Sequence, residues 1–202
     1  FRRFSIGHEL GHYFLREHVQ HVLGADGIHQ SRGGFTSRDK YEREADQFAV
    51  GLLMPRALFG PAGRRVGDGL AAIEELAAQC MTSLPATAIR YTEFADAPVA
   101  IVMTKQDTIE YCCMSRHLQD LKMSWLKRGD PIPRRTLTSR FNGDPGRIVG
   151  AVRDEATSRL DDWFENGPDV GVVEEVLGLG RYGRTLTVLK VEGVLDEESE
   201  EE

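Results

Sequence analysis

The pentapeptide His8-Glu9-Leu10-Gly11-His12 constrains this chain more than any other stretch. On a helix, two residues four apart share one face, roughly 40° apart around the axis. Both imidazoles can then hold one zinc ion. Glu9 follows the first of them, where its carboxylate can reach a water activated by the metal. The pattern supplies two ligands and a general base for hydrolysis. Its flanks predict an amphipathic helix with Phe4, Leu10, Phe14 and Leu15 as apolar residues and Ser5 as N-cap. Gly7 and Gly11 are poor helix formers, so their small size predicts close packing against the helix.

A zinc hydrolase needs a third protein ligand and an open position for water. Two residues compete for that place. His18 lies six residues beyond His12, the metzincin spacing, but that pattern needs a glycine where this chain has Leu15. Leu15 favours a continued helix, which turns His18 well away from His12. The other candidate is Glu42, in Tyr41-Glu42-Arg43-Glu44-Ala45-Asp46-Gln47-Phe48-Ala49. This reads as a second helix, capped by Asp39 and ended by Pro55. Glu42, Ala45, Asp46, Ala49, Leu52 and Leu53 form one stripe. Two carboxylates on a small, apolar stripe need a reason to face inward. Zinc gives one: Glu42 binds the metal, and Asp46 accepts the second N–H of a ligand histidine. Glu44 is turned by about 200° from Glu42 and faces another way. Glu42→Ala is then expected to lose zinc, and His18→Ala to be near neutral.

The pair of segments, with Leu52-Leu53-Met54-Pro55 after the second, resembles the ImmA/IrrE family of metallopeptidases. The likeness is specific over residues 1–55 and looser over 70–115 and 175–190. It implies a gluzincin-type zinc endopeptidase of the bacterial cytoplasm that acts on a DNA-binding repressor, often one encoded nearby. By position, His8, His12 and Glu42 match the family's ligands and Glu9 its catalytic base.

Composition fits a soluble globular protein. The 202 residues are 41% hydrophobic and 28% charged, and no run approaches the apolar length of a membrane span. A net charge of −7 argues against a general nucleic-acid binder. Cys80, Cys112 and Cys113 are odd in number and two are adjacent, which excludes a disulfide framework and predicts reduced thiols. In a strand over 109–114, Cys112 and Cys113 point to opposite faces. The chain opens on Phe1 and reaches the motif within eight residues, so a fragment lacking the amino-terminal part of a peptidase core is expected.

The remaining segments read in order. Residues 19–38, with His21 and His29, suggest a glycine-rich loop bordering the cleft; His29 is a candidate for binding a substrate carbonyl. Pro55–Gly69 reads as a breaker-rich connection. Leu70, Ile73, Leu76, Ala77 and Cys80 predict a helix over 70–81, and Ser83 caps a second helix to about Phe94. The pair resembles a helix-turn-helix, yet 86–96 offers Arg90 offset by Glu93 and Asp96, so packing or protein docking is favoured over DNA. Residues 98–103 and 108–114 predict a β-hairpin, and Ser115 a short helix with a surface His117 and Leu121. Residues 147–153 and 160–165 fit two strands, or a strand and a helix. Val170–Leu177 and Thr185–Val191 are stronger strands, joined by Gly178–Arg184 as a hairpin loop rather than a phosphate loop. Residues 196–202 are an acidic tail.

The resulting expectation is an α+β protein with an incomplete zincin-like metallopeptidase core over 1–60, a helix-turn-helix-like segment over 61–96, a β-hairpin and short helix over 97–122 and a mostly β region over 123–195. Its function is zinc-dependent peptide hydrolysis, with a helix-turn-helix repressor as protein substrate, no direct nucleic acid and no membrane. Tyr41, His29 and Arg90 are candidates for the oxyanion donor. Two other readings are a zinc-binding regulator that docks a transcription factor without cleaving it, and a helix-turn-helix DNA binder.

Overall fold

Two glycines set the distance between the first long helices. The computed structural model describes residues 2–22 and 39–192. Helix α1 (Arg2–Phe14) lies against α3 (Lys40–Leu53), with the short α2 (His18–Val22) between them in the chain. A Cβ on Gly7 would meet the Ala49 Cβ at 3.2 Å, and one on Gly11 would meet the Ala45 Cα at 2.9 Å. The expected close packing is therefore present, and it changes which face of α1 is buried. That face is Gly7, His8, Gly11 and His12. Phe14 is 64% exposed and Leu10 36%, so the apolar flank is not the buried stripe. Backbones this close admit only small residues on the contact line. Ser5 lies inside α1, which begins at Arg2, and is not its N-cap. Asp39 does cap α3, accepting from the Tyr41 N–H at 2.9 Å. Of the predicted α3 stripe, Ala45, Asp46 and Ala49 are buried, whereas Leu52 is 53% exposed.

Gly11→Ala drives a methyl into the α3 backbone and is expected to cost about 1–3 kcal/mol. Urea unfolding would show it as a lowered midpoint at unchanged slope. A midpoint equal to that of the parent would disprove the tight contact.

Helix α4 (Arg56–Gly63) occupies the stretch expected to be an irregular connection. Phe59 explains the difference: it is buried and packs on Phe94 with ring centroids 5.7 Å apart. Burying a phenyl ring stabilises by about 2 kcal/mol, which partly offsets the poor propensity of Gly60, Pro61 and Gly63. Helices α5 (Gly69–Cys80) and α6 (Leu84–Thr92) follow as expected. Leu70, Ile73 and Leu76 are buried, the Ser83 hydroxyl accepts from the Ala86 N–H at 3.4 Å, and Pro85 sits in the first turn of α6.

Five strands make one antiparallel sheet. They are β1 (Val99–Lys105), β2 (Thr108–Met114), β3 (Arg153–Arg159), β4 (Gly171–Gly178) and β5 (Arg184–Val191), in the order β2-β1-β5-β4-β3. Because β1 pairs with β5, residues 97–122 and 123–195 share this sheet. Val99, Ile101 and Met103 face α5 and α6, while Ala100 and Val102 face Trp163 and Phe164. Cys112 and Cys113 fall on opposite faces, as the strand period requires. All three cysteines are free thiols. Burial pushes Cys112 and Cys113 up, the latter to about 11. Thiols held protonated in this way are inert.

Short helices α7 (Arg116–Asp120), α8 (Leu137–Asn142), α9 (Pro145–Val149) and α10 (Leu160–Trp163) complete the fold, which is α+β. Most of the strand expected over 147–153 is instead α9 and its exit, because Asp144 accepts from the Gly146 N–H and starts a helix there. Strand β3 begins only at Arg153. The Gly178–Arg184 segment joins β4 and β5 as a hairpin loop, in line with expectation.

The helical part is tied to the sheet at the start of α5. Glu175 on β4 accepts from the Leu70 N–H at 2.9 Å, and a side chain on Gly69 (φ 75°) would run into it. Burial raises the Glu175 carboxyl above its ordinary range, while the Leu70 N–H and Lys190 pull it back in part. The folded chain thus holds this proton more tightly than the unfolded chain. The stability this contributes is complete below the ordinary value of 4.5 and is lost as pH rises through the folded pKa. Glu175→Gln keeps an acceptor for Leu70 without the charge. Its stability relative to the parent should improve from that pH toward neutrality, and a constant difference in urea unfolding across the range would refute the assignment.

Candidate metal centre

Helices α1 and α3 bring three donor atoms together. The Nε2 atoms of His8 and His12 are 3.0 Å apart. The Glu42 carboxylate lies 3.5 Å from the first and 3.4 Å from the second. Both histidines are buried, and Glu42 is largely so. One donor atom from each of the three residues falls within 4.8 Å of the others, so these residues could hold a metal ion.

The donor set can be tested against zinc. Zinc–nitrogen and zinc–oxygen bonds of about 2.0–2.1 Å in a tetrahedron place ligand atoms roughly 3.3 Å apart. The Nε2 pair at 3.0 Å, with Glu42 Oε2 3.5 Å from His8 and Glu42 Oε1 3.4 Å from His12, lies close to that value. Protonation points the same way. Asp46 Oδ1 lies 2.8 Å from His8 Nδ1, and a carboxylate only accepts, so Nδ1 carries the proton and Nε2 a lone pair. The lone-pair nitrogen of His8, the Nε2 of His12 and a carboxylate converge in a buried place, a donor set that matches a cation, and the residues fit the group.

Asp46 stands where the sequence put it, behind His8. Burial raises its carboxyl above the usual carboxylate range, the hydrogen bond from His8 works against that, and the charge of Glu42 adds to the rise.

His18 departs from expectation. The helix does not continue past Leu15. Helix α1 ends at Phe14, and Glu17 adopts φ 67°, which reverses the chain into α2. His18 is therefore turned back toward His12 and only 1% exposed. Its Nδ1 lies 3.1 Å from His12 Nδ1, on the side of that ring opposite Glu42, and its Nε2 lies 3.0 Å from Glu44 Oε2. Glu44 does face away from the three donor atoms, but it is not idle. The hydrogen bond from His18, and then the charge of Lys40, hold its carboxyl below the ordinary range against the opposing effect of burial. Sequence reasoning missed this pairing, because its signal is a chain reversal at a residue other than glycine.

Glu9 is exposed, one step around α1 from the buried histidines. It lines a shallow, mostly apolar depression with Ser5, Ile6, Leu10 and Tyr13. Tyr41 stands edge-on to His18, ring centroids 5.0 Å apart, and against His21 at 4.3 Å. Arg90 is anchored elsewhere: two of its nitrogens donate to the Met54 carbonyl at 3.3 and 3.1 Å, it pairs with Glu93, and it stacks on Phe94. It is the cap of α3, neither an oxyanion donor nor a cation offered to DNA. His117 is exposed on α7. His29 lies outside the described residues, as does the acidic tail. The segment expected to be a loop over 19–38 includes α2, and its remainder from residue 23 also lies outside them. No helix among the described residues is long and apolar enough to cross a membrane.

The family model for the IrrE N-terminal-like domain, peptidase M78, matches residues 2–91. A search of curated proteins finds no match. Among solved structures, a Mycobacterium tuberculosis transcriptional regulator is similar with a TM-score of 0.53 and 13% identity. The match covers 94% of this chain and 63% of that one, so the chain spans less than two thirds of the regulator's length. At this identity the likeness carries the fold alone. Residues 2–91, which include all three donor residues, are thus similar to the IrrE N-terminal-like domain of peptidase M78, the domain that the resemblance to the ImmA/IrrE family implies.

Proposed function

We propose that the chain is a zinc-dependent endopeptidase, with His8, His12 and Glu42 as ligands and Glu9 as general base. The observation that carries the reading is the convergence of two Nε2 atoms and a carboxylate at tetrahedral spacing. Bound there, zinc supplies Lewis-acid chemistry, acidifying a water and polarising a peptide carbonyl. Glu9 takes the proton of the attacking water on its carboxylate and delivers it to the leaving amine. Asp46 holds His8 by its Nδ1–H, so that Nε2 keeps its lone pair and its direction. The apolar depression around Ile6, Leu10 and Tyr13 offers a surface beside Glu9 for side chains of an extended peptide.

The domain match supports, as the substrate class of this proposal, a helix-turn-helix repressor cleaved in the bacterial cytoplasm. The similar solved structure is a transcriptional regulator, which fits a role in transcriptional control. A regulator that holds metal and docks a partner without cleaving it would not need Glu9 beside the ligand pair. The test is incubation of the zinc-loaded chain with a helix-turn-helix repressor from the same genome, one encoded beside it where there is one, read by mass spectrometry. Cleavage at one site, stopped by a chelator and restored by zinc, is expected. An intact repressor, or cleavage indifferent to the chelator, would overturn the reading.

A further inference from the structure

Each of the two histidines in the donor set has its far nitrogen engaged, but by different means. Asp46 reaches His8 directly. Among the described residues, the group in that position for His12 is a second histidine, His18. We infer that His18 and Glu44 form a relay that fixes the tautomer and ring orientation of His12, so that both are positioning residues for the metal centre. The inference rests on the zinc-site reading above.

The tautomers are set from the outside inward. A carboxylate only accepts hydrogen bonds. Glu44 Oε2, 3.0 Å from His18 Nε2, therefore selects the His18 tautomer that carries its proton on Nε2. A neutral imidazole protonated on Nε2 has a lone pair on Nδ1. That lone pair lies 3.1 Å from His12 Nδ1 and accepts the proton there. His12 Nε2, 3.4 Å from the Glu42 carboxylate, is left with its lone pair pointing at the other donors. The result for His12 equals the result of Asp46 for His8, one imidazole longer.

Several local features make this geometry. Glu17 at φ 67° is strained for a side-chain-bearing residue, and it turns α2 back over α1. His18 is buried on both of its nitrogen edges, and Tyr41 closes its side. Glu44 follows Glu42 by two positions on α3, so one helix presents a donor atom to the metal side and an acceptor to the relay side. A residue this buried that only filled space would not require a histidine with both nitrogens partnered.

The experiment uses the full chain. Zinc affinity is measured by competition with a chromophoric chelator, and the His12 tautomer is read in the zinc-free protein from imidazole nitrogen chemical shifts. His18→Leu is expected to weaken zinc binding by about 10–100-fold and to shift His12 away from the Nδ1–H tautomer. His18→Asn, which retains an acceptor near the Nδ1 position, should recover most of both. Glu44→Ala, a change at a partly exposed site that the fold tolerates, should loosen the His12 tautomer with a smaller loss of affinity. His8→Ala and His12→Ala are the controls: if either keeps zinc at the parent level, the metal site itself is wrong. If they lose zinc while His18→Leu binds within about threefold of the parent, only the relay is overturned. An Asn variant as weak as the Leu variant would overturn it too, since packing or direct ligation by His18, not acceptance from His12, would then explain the loss.

Discussion

Zinc binding by the His8→Ala and His12→Ala chains is expected to fall by a hundredfold or more. Binding free energies of about 10–16 kcal/mol for a closed four-ligand zinc site amount to roughly 3 kcal/mol per ligand, which is about a hundredfold in affinity. The loss should not come from unfolding. Helix α1 is held to α3 by the Gly7–Ala49 and Gly11–Ala45 approaches, which the substitutions leave alone. Thermal unfolding without metal should therefore remain cooperative in both variants. In the parent, zinc should raise the melting temperature in proportion to the logarithm of its concentration above the dissociation constant; in the variants that rise should vanish. Glu42→Ala should behave alike, because its carboxylate lies within 3.5 Å of both Nε2 atoms. Retention of zinc by Glu42→Ala together with its loss in a His18→Ala chain of unchanged apo stability would move the third ligand to His18. The site would then be of the metzincin kind.

Most of this centre was legible in the sequence because helices are periodic. Spacing by four put His8 and His12 on one face, and the same period put Asp46 one turn beyond Glu42. Nothing beyond local geometry was required, once two helices were accepted. The error over His18 has a matching cause. Leu15 has high helix propensity, yet the helix stops at Phe14 and Glu17 takes a left-handed conformation. Propensity is worth tenths of a kcal/mol per residue, and tertiary contacts outweigh it. Here those contacts are the seating of His18 between His12, Glu44 and Tyr41. For His18→Ala, near neutral by the sequence reading, the relay proposal instead expects weaker zinc binding.

The same contrast holds in the rest of the fold. Strands β4 and β5 were readable because apolar residues alternate or run together in them. Strand β3, Arg153–Arg159, was not, since it is an edge strand paired with β4 alone and only half-buried at alternate positions. Helix α4 was hidden by Gly60, Pro61 and Gly63, and what seats it is a long-range contact, the buried ring of Phe59. The face of α1 was misjudged for a related reason. Apolar residues usually mark a helix's buried side, but a buried pair of histidines with a carboxylate needs close backbones, and glycine marks that side instead.

Glu9→Gln is the substitution that separates catalysis from metal binding. Glu9 is adjacent in sequence to a donor residue, yet it is exposed, and it lines the depression on the open side of α1. A ligand would be drawn into the buried cluster with His8, His12 and Glu42, and Glu9 is not among them. The amide is isosteric and uncharged, so zinc affinity should stay within a small factor of the parent. The amide cannot accept the proton of the attacking water, and general-base catalysis typically contributes about 10²–10⁴-fold. Cleavage of the repressor should fall by that much, with substrate binding little changed, which is the signature of an interaction made only in the transition state. Single-turnover cleavage by zinc-loaded Glu9→Gln, beside a zinc titration of the same sample, measures both quantities. Undiminished cleavage would refute Glu9 as the base, whereas loss of zinc would show it to be a ligand. If no cleavage is seen even with the parent, and Glu9→Gln still binds zinc and the repressor as the parent does, the centre is a metal-dependent docking site rather than a peptidase.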